Sequence, residues 1–343
     1  MKKFSPKLTQ RLARLMWAGA ATAPLSSRGM VAAQEKIVAM IERVKPLHEQ
    51  TPVQARKTYL LLDKLFGGNK PKLTAVFDRM VATDGDAIAV RVYKSEACVA
   101  RKDNPCLVYF HGGGGVIGDL NTHDGFCREV AAQSDFVVVS VDYRRAPEFP
   151  FPVPVEDSIR GWNWVCDNAL ELGVDLSKTG VGGDSAGGYM ATCIAQQVKL
   201  RTLAVVPERM PAFQWLVYPM LDCRMVTPSS QNCTEAMVLT HDSMAYFFDH
   251  LLPEPLDRAD KQVSPALNPD LQGLPKTFLS TAGFDPLEDE GRQYAEALRQ
   301  QGVEVDEVHY ADVMHGFVGF TGVCPTSARY VERMIEKLTR LVV

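Results

Sequence analysis

The decapeptide VGGDSAGGYM, residues 181–190, places one serine among four glycines. A serine hydroxyl can attack a carbonyl carbon when a neighbouring base accepts its proton. Ser185 stands in a G-x-S-x-G pattern between a predicted strand and a predicted helix, and the glycines omit the Cβ atoms that would obstruct a tight turn there. The same glycines would also suit a flexible loop with an unreactive serine. The partners available elsewhere in the chain decide between these interpretations.

A serine nucleophile needs a base, and the base needs an acid that orients it. For a serine on this kind of turn, the acid and then the base follow it in the chain. Asp285 comes just after a predicted strand over 276–282, in a strand-end loop. Glu288 and Asp289 are alternatives, but they fall where the first turn of the next helix is expected, and acidic residues favour helix N-termini. The sequence therefore favours Asp285 as the acid.

The base is sought among seven histidines. His315, in VMHGF, lies in a loop after the last predicted strand, whereas His309 lies within that strand and is interpreted as a sheet residue. The other five lie in a predicted lid or precede Ser185, namely His241, His250, His48, His111 and His123. His315 is the predicted base.

A second glycine-rich segment, HGGGGVIG at 111–118, follows another predicted strand. Its backbone N–H groups are free of side-chain obstruction and could bind an anion. A phosphate-binding loop would need G-x-x-x-x-G-K-[ST], or a glycine fingerprint that opens directly into a helix, and the segment has neither. Stabilising the negative charge of a reaction intermediate is the better interpretation.

The elements that must position these residues alternate between short apolar strands and amphipathic helices. Strands are predicted at 73–82, 86–95, 105–110, 136–143, before Ser185, and at 212–218, 276–282 and 304–310, and helices at about 122–134, 154–171, 189–200, 288–302 and 325–342. This alternation predicts an α/β protein with a mostly parallel sheet covered on both faces. The first 66 residues are predicted to be helical, and residues 221–271 interrupt the alternation with prolines and a helix-like SMAYFFDHLL.

Six motifs occur in order along the chain: HGGG, GDLNTHD, DYRRAPEFPFP, GGDSAGG, GFDPLEDEG and MHGF. On these motifs, residues 73–320 resemble the hormone-sensitive-lipase-like branch of the α/β-hydrolases, the bacterial family IV carboxylesterases. The resemblance implies the α/β-hydrolase fold and hydrolysis of short- to medium-chain carboxylic esters through an acyl-enzyme, with no cofactor and no metal. It implies a triad and an oxyanion hole made of backbone N–H groups, namely Ser185, Asp285 and His315 with Gly113, Gly114 and Ala186.

The resemblance also implies a division of the chain. Residues 1–66 are expected to form a helical cap segment, residues 67–220 and 272–343 the catalytic domain, and residues 221–271 a cap insertion. An amide-directed hydrolase such as an arylformamidase would use the same triad, and a hydrolase-like binding protein would lack catalysis. Because all three triad positions are filled, the binding protein is disfavoured, whereas the amide-directed hydrolase stays an alternative to the leading ester hydrolase.

Two residues depart from the family pattern. Gly115 stands where relatives usually carry a large or aromatic residue, which indicates a wider alcohol or acyl pocket. Arg145 replaces the usual apolar residue of YRLAPE. Neither belongs to the triad, so both concern the choice of substrate.

The composition of the chain restricts the classes of binding partner and the cellular compartment. The formal net charge is −4 and the pI about 6.0, without a basic face, which argues against nucleic acid as a partner. No apolar run reaches the length of a membrane span. Eight cysteines lack metal-ligand spacing and predict free thiols in a reducing compartment, hence a cytoplasmic protein. A homodimer is common in the family, and the expected partner is a small-molecule ester.

The N-terminus leaves an alternative. Basic residues up to Arg14 precede the apolar LMWAGAATAPLSS, and an exported protein would follow if this were a signal peptide. However, Leu8, Leu12, Leu15 and Met16 have the spacing of an amphipathic helix. A structural helix is therefore favoured.

Overall fold

The structure, a computed structural model, describes residues 32–41, 45–232 and 238–342. The predicted helix at Leu8–Met16 lies outside these residues. Every predicted strand overlaps one strand of a single sheet. The strands are β1 Ala75–Ala82, β2 Ala87–Lys94, β3 Asn104–Phe110, β4 Val137–Val141, β5 Val174–Asp184, β6 Phe213–Val217, β7 Lys276–Phe284 and β8 Val305–Met314.

Helices connect the strands and also occupy the N-terminal segment. In the described ranges they are α1 Ala32–Ile41, α2 Pro52–Phe66, α3 Glu96–Ala100, α4 Asp124–Ser134, α5 Val153–Asp167, α6 Ala169–Leu172, α7 Ala186–Leu200, α8 Pro228–Asn232, α9 His241–Leu251, α10 Glu288–Gln300 and α11 Pro325–Arg340. Within those ranges, none of them combines the length and the apolar character that crossing a bilayer requires.

The sheet runs in the order β1-β2-β4-β3-β5-β6-β7-β8. β1 and β2 form an antiparallel hairpin whose predicted turn is closed by the Thr83 amide donating to Asp86 O at 2.8 Å. β2 is antiparallel to β4, and all pairs from β4 to β8 are parallel. Because parallel strands end at the same edge, the loops after β5, β7 and β8 meet there.

Both faces of the sheet are covered by helices, as the strand pattern predicted. Along β3, Val108 and Phe110 join the core on the side of Trp162 in α5, while Tyr109 faces the opposite core with Val130 of α4. All five side chains are fully buried. Apolar residues on both faces fix the strands in place, and hence the loops at their carboxyl ends.

The segment between β6 and β7 contains α8 and α9 and includes residues 221–271, for which the sequence predicts a cap insertion. Its start is fastened to α10, where the buried Glu290 carboxylate accepts hydrogen bonds from the amides of Leu221 at 2.6 Å and Asp222 at 3.1 Å. The Cys223 amide donates to Ser264 Oγ at 2.9 Å. The insertion is therefore attached to the sheet domain near its origin.

Candidate active site

Ser185 lies at the junction between β5 and α7, on the turn that the glycine pattern predicted. Its φ of 55° and ψ of −119° are unusual for a residue with a side chain. The Ser185 amide donates to Val217 O at 2.9 Å, which ties the turn to the end of β6. A Cβ at Gly183 or Gly187 would overlap the carbonyl oxygen of Phe110. The two glycines thus allow β3, β5 and α7 to meet beneath the serine.

Replacing Gly187 by alanine should destabilise the fold because the new methyl group collides with backbone rather than with a movable side chain. We expect the free energy of unfolding to fall by about 2–3 kcal/mol, as for an overpacked core. Urea denaturation followed by circular dichroism measures this change. Gly125→Ala in α4 is the matched control, since its Cβ would meet only ordinary contacts at 3.5 Å or more. Equal stability of the two variants would contradict the role assigned to Gly187.

The three residues predicted as a triad lie within hydrogen-bond distance of one another. His315 Nε2 is 2.9 Å from Ser185 Oγ, and His315 Nδ1 is 2.7 Å from Asp285 Oδ2. Asp285 and His315 are 1% and 7% exposed, so water is largely excluded from their contact. The Leu287 amide donates to the other Asp285 oxygen at 2.8 Å and fixes the carboxylate. With Nδ1–H facing Asp285, Nε2 is left to accept the serine proton.

The alternatives considered from the sequence lie apart from this contact. Glu288 and Asp289 occupy the first turn of α10, as predicted, and Asp289 Oδ2 accepts a hydrogen bond from the Ser229 amide at 2.8 Å. His309 lies in β8 with its Nδ1 3.0 Å from Thr281 Oγ1. Glu288 Oε1 accepts a hydrogen bond from Arg292 Nη1 at 3.2 Å, so all three side chains are engaged away from Ser185.

The glycine loop after β3 supplies free backbone N–H groups beside the serine. Gly113 and Gly114 have φ of 119° and 61°, which glycine adopts without strain, and both line the same pocket as Ser185. The Val116 and Ile117 amides donate to Gly113 O at 3.0 and 2.9 Å and close the loop. Within the described part of the chain, the amides of Gly113, Gly114 and Ala186 donate no hydrogen bond. They are available to a negatively charged oxygen.

The two residues that depart from the family pattern, Gly115 and Arg145, both belong to the glycine loop or contact it. Beyond Gly115 the space is occupied by Leu251, whose Cδ1 would lie 2.9 Å from a Cβ at that position. The wider pocket expected at Gly115 is therefore not observed, because a neighbouring side chain fills the volume. Arg145 donates through Nη1 to Gly118 O and fastens the end of the loop.

A buried ion pair beneath the loop was not found from the sequence. Asp184 Oδ1 accepts hydrogen bonds from Tyr109 Oη at 2.5 Å and the Gly112 amide at 2.8 Å, and it lies 3.4 Å from His123 Nε2. Burial raises the pKa of Asp184, but His123 and these hydrogen bonds outweigh it and lower the pKa overall. Burial likewise opposes the charge on His123, yet the Asp184 carboxylate raises its pKa. The pair ties the glycine loop to the serine turn.

This pair could have been suspected from two sequence features. An aspartate directly precedes Ser185, and His123 belongs to the GDLNTHD motif. The rule that the base follows the serine in the chain excludes His123 only as the base of the triad. The rule does not apply to a histidine that supports the glycine loop and the serine turn from below.

His111, at the start of the loop, makes the stability of the protein dependent on pH. Its ring is fully buried, stacks on Tyr143 at 4.3 Å, and has Nδ1 2.9 Å from Gly112 O. Burial, assisted by nearby His123, lowers the pKa of His111 to about 3. An unfolded histidine titrates near 6.5. The unfolded chain therefore binds an extra proton between these values, and stability is lost as the pH falls from about 6.5 towards 3.

We expect this loss to be smaller in a His111→Asn variant. Between pH 6.5 and 4, wild type should lose on the order of 3 kcal/mol more unfolding free energy than the variant, at about 1.4 kcal/mol per pKa unit. Urea denaturation at a series of pH values measures both slopes. The comparison uses the slope of unfolding free energy against pH, because asparagine will also change the absolute stability. Parallel slopes would show that His111 is protonated in the folded protein.

Ser185 and His315 open into a mostly apolar pocket with a cavity volume of about 120 Å³. Two segments outside the sheet domain line it: Tyr59 and Leu62 come from α2, and Met244 and Phe247 from α9. Within the described ranges, no group of three His, Cys, Asp or Glu side chains is arranged to hold a metal ion. A nucleophile, a base, an acid and free amides thus face a space suited to a small apolar molecule.

Comparisons with known proteins show the family to which the chain belongs. A family profile described as alpha/beta hydrolase fold matches residues 107–319. Esterase LipI of Mycobacterium tuberculosis is 39% identical over 262 residues, which cover 75% of this chain and 80% of that protein. Ethyl acetate hydrolase of Pseudomonas putida is 30% identical over 86% of this chain and 92% of that protein. The solved structure of ester-hydrolase EH1AB1 from the metagenome of Lake Arreo superposes with a TM-score of 0.85, at 33% identity, and covers 91% of this chain and 98% of that one.

Proposed function

Because the chain belongs to the hormone-sensitive-lipase-like branch of the α/β-hydrolases and is a carboxylic-ester hydrolase, we propose that Ser185, His315 and Asp285 carry out its reaction. The proposal depends on one observation, the continuous hydrogen-bonded contact from Ser185 Oγ through the His315 ring to Asp285 Oδ2 at 2.9 and 2.7 Å. In this arrangement the serine is the nucleophile, the histidine the base and the aspartate the group that orients it.

The steps follow from the positions of the atoms. Ser185 Oγ attacks the ester carbonyl while His315 Nε2 takes its proton, and Asp285 stabilises the imidazolium. The carbonyl oxygen becomes negative and accepts hydrogen bonds from the amides of Gly113, Gly114 and Ala186, each worth about 3 kcal/mol in the transition state. His315 then gives its proton to the departing alcohol oxygen. A water molecule, deprotonated by His315, cleaves the acyl-enzyme and restores the serine.

We propose that residues 1–66 and 221–271 act as a cap over this site. The support is that Tyr59 of the first segment and Phe247 of the second both line the pocket. A cavity of about 120 Å³ is close to the ~150 Å³ that accommodates benzene in an engineered core. This size favours acyl chains of a few carbons within the short- to medium-chain range.

Activity-based labelling combined with a substrate panel tests the proposal. A fluorophosphonate probe should modify Ser185, as located by peptide mass spectrometry. Among p-nitrophenyl esters from acetate to palmitate, kcat/KM should be highest for the short chains, and butyryl p-nitroanilide should react at least about 100-fold more slowly than the ester. A faster anilide would favour an amide-directed hydrolase, and a protein that is neither labelled nor active would favour a binding protein.

We extend the proposal to a cytoplasmic location. In the described part of the chain seven cysteines are free and six of them are buried, as expected where thiols stay reduced. The eighth, Cys233, lies outside the described residues. We expect protein purified from its own host to retain the segment before Arg14 in its N-terminal peptide. The homodimer stays a prediction, and sedimentation equilibrium measures it.

A further inference from the structure

One wall of the pocket is polar, and it comes from α2. Tyr59 and Asp63 are one helical turn apart, so they share a face of α2, and both line the pocket that contains Ser185 and His315. Arg56, one turn earlier, holds α2 against the glycine loop by donating to Val116 O at 2.8 Å and to Ala146 O at 2.8 Å. The polar wall is therefore anchored to the same loop that supplies the free amides.

The carboxylate of Asp63 is poorly satisfied. Its side chain is 14% exposed, and within the described part of the chain its buried Oδ2 has no hydrogen-bond partner. The nearest cation, Lys70 Nζ, is 3.8 Å away, beyond hydrogen-bond distance, and its side chain is 47% exposed. Burial raises the pKa of Asp63, although Lys70 and His123 act in the opposite direction. A carboxylate left in this state costs stability unless something else donates to it.

The α2 wall is assigned here to the leaving alcohol from the position of His315. His315 must deliver its proton to the alcohol oxygen, so the alcohol lies beside the loop that follows His315. That loop packs against the end of α2, where the Gly322 amide donates to Phe66 O at 3.0 Å and the rings of Phe66 and Phe320 are 6.0 Å apart. Phe247 of α9, by contrast, packs against Gly114 in the glycine loop. The acyl chain is thereby assigned to the apolar α9 side.

A hydroxyl group matches this wall better than an ammonium group. A hydroxyl can donate to the Asp63 carboxylate and accept from the phenol of Tyr59, whereas an ammonium can only donate. Lys70 would also repel a second cation. Other polar side chains also line the pocket, but Asp184 and His123 are paired with each other, and Thr122, Tyr218 and Thr321 carry no charge.

We propose that Tyr59 and Asp63 form an alcohol subsite that binds a hydroxyl group of the leaving alcohol, so that the natural substrates are esters of alcohols with more than one hydroxyl group. This inference rests on the proposed function, because it assigns the alcohol side from the proton transfer by His315. It specifies the substrate class that the triad alone leaves open.

Matched ester pairs test the subsite. The experiment measures kcat/KM for ω-hydroxyalkyl butyrates with two to five carbons, and for 2,3-dihydroxypropyl butyrate, each against the n-alkyl butyrate of equal length. Wild type should prefer the hydroxylated ester at the best-fitting length by about 10- to 100-fold, the range for one hydrogen bond to a charged group. The ratio within one protein cancels differences in folding and in the triad.

Variants of Asp63 and Tyr59 test whether these residues cause the preference for the hydroxylated ester. In Asp63→Leu the ratio should fall to about one, in Asp63→Asn it should fall in part, and in Tyr59→Phe it should fall a few-fold. Lys64→Leu, the neighbouring exposed position on α2, is the matched control and should keep the wild-type ratio. If Asp63→Leu fails to fold, the Asn and Phe variants still measure the ratio.

The outcomes separate this inference from the proposed function. A wild-type enzyme that hydrolyses p-nitrophenyl butyrate through Ser185 but shows no preference at any length overturns the subsite and leaves the triad standing. A preference for ω-aminoalkyl butyrates over hydroxyalkyl butyrates overturns the assignment to a hydroxyl group. A preference that survives in Asp63→Leu places the hydroxyl elsewhere and also overturns it.

Discussion

Ser185→Ala should lower kcat/KM for p-nitrophenyl butyrate by about 10⁵- to 10⁶-fold, since losing the nucleophile removes the covalent route entirely. The residual rate would come from the free amides of the glycine loop, which still stabilise a negative oxygen. Alanine keeps the turn geometry and the hydrogen bond from the backbone amide to Val217 O, so the folded structure should be retained. Spectrophotometric assay at high enzyme concentration measures the residual activity.

The control for this variant is Ser177→Ala. Ser177 is an exposed residue of β5 whose hydroxyl donates to Asp175 Oδ1 at 2.7 Å, away from the pocket. It should keep activity within about twofold of wild type, as for a surface substitution. Ester hydrolysis that survives at wild-type level in Ser185→Ala, with the melting temperature unchanged, would rule out the serine mechanism.

Asp285→Asn should lower kcat by about 10⁴-fold while leaving the fold intact. An amide in place of the carboxylate can donate to His315 Nδ1 and so favours the tautomer with the proton on Nε2. That tautomer faces Ser185 with a donor and cannot accept its proton. Steady-state kinetics at neutral pH measure the loss.

Asp289→Asn provides the comparison within the same strand-end segment. Asp289 accepts a hydrogen bond from the Ser229 amide rather than from the histidine, so its replacement should change kcat by less than about threefold. Similar losses in the two variants would mean that Asp285 acts through local folding instead of through His315.

The sequence was informative where function depends on local order along the chain. The triad could be predicted because each member lies in a loop directly after a strand, and the apolar runs identify the strands. The residues at which the strands end were harder to predict from the sequence. β8 continues to Met314, next to His315, because Met314 pairs with Phe284 beyond an irregularity in β7, and such a pairing leaves no local signal.

The supporting contacts lay beyond sequence reasoning because they join distant segments. The periodicity of α2 predicts a helix, but not that Asp63 faces the pocket. Likewise, the contact between Asp184 and His123 depends on how the loop after β3 folds back onto the serine turn. At Gly115, the side chain that fills the space is Leu251, which lies 136 residues later in the chain. Docking of this kind is a tertiary property.

The attachment of the insertion has a consequence for engineering. It leaves the sheet after β6 and returns at β7, held at its origin by Glu290, while the serine, aspartate and histidine follow β5, β7 and β8. It contributes none of these three residues. Under the acyl side proposed for α9, transplanting the corresponding segment from a relative, with Leu221, Asp222 and Glu290 retained, would exchange acyl selectivity and leave the triad of the recipient in place.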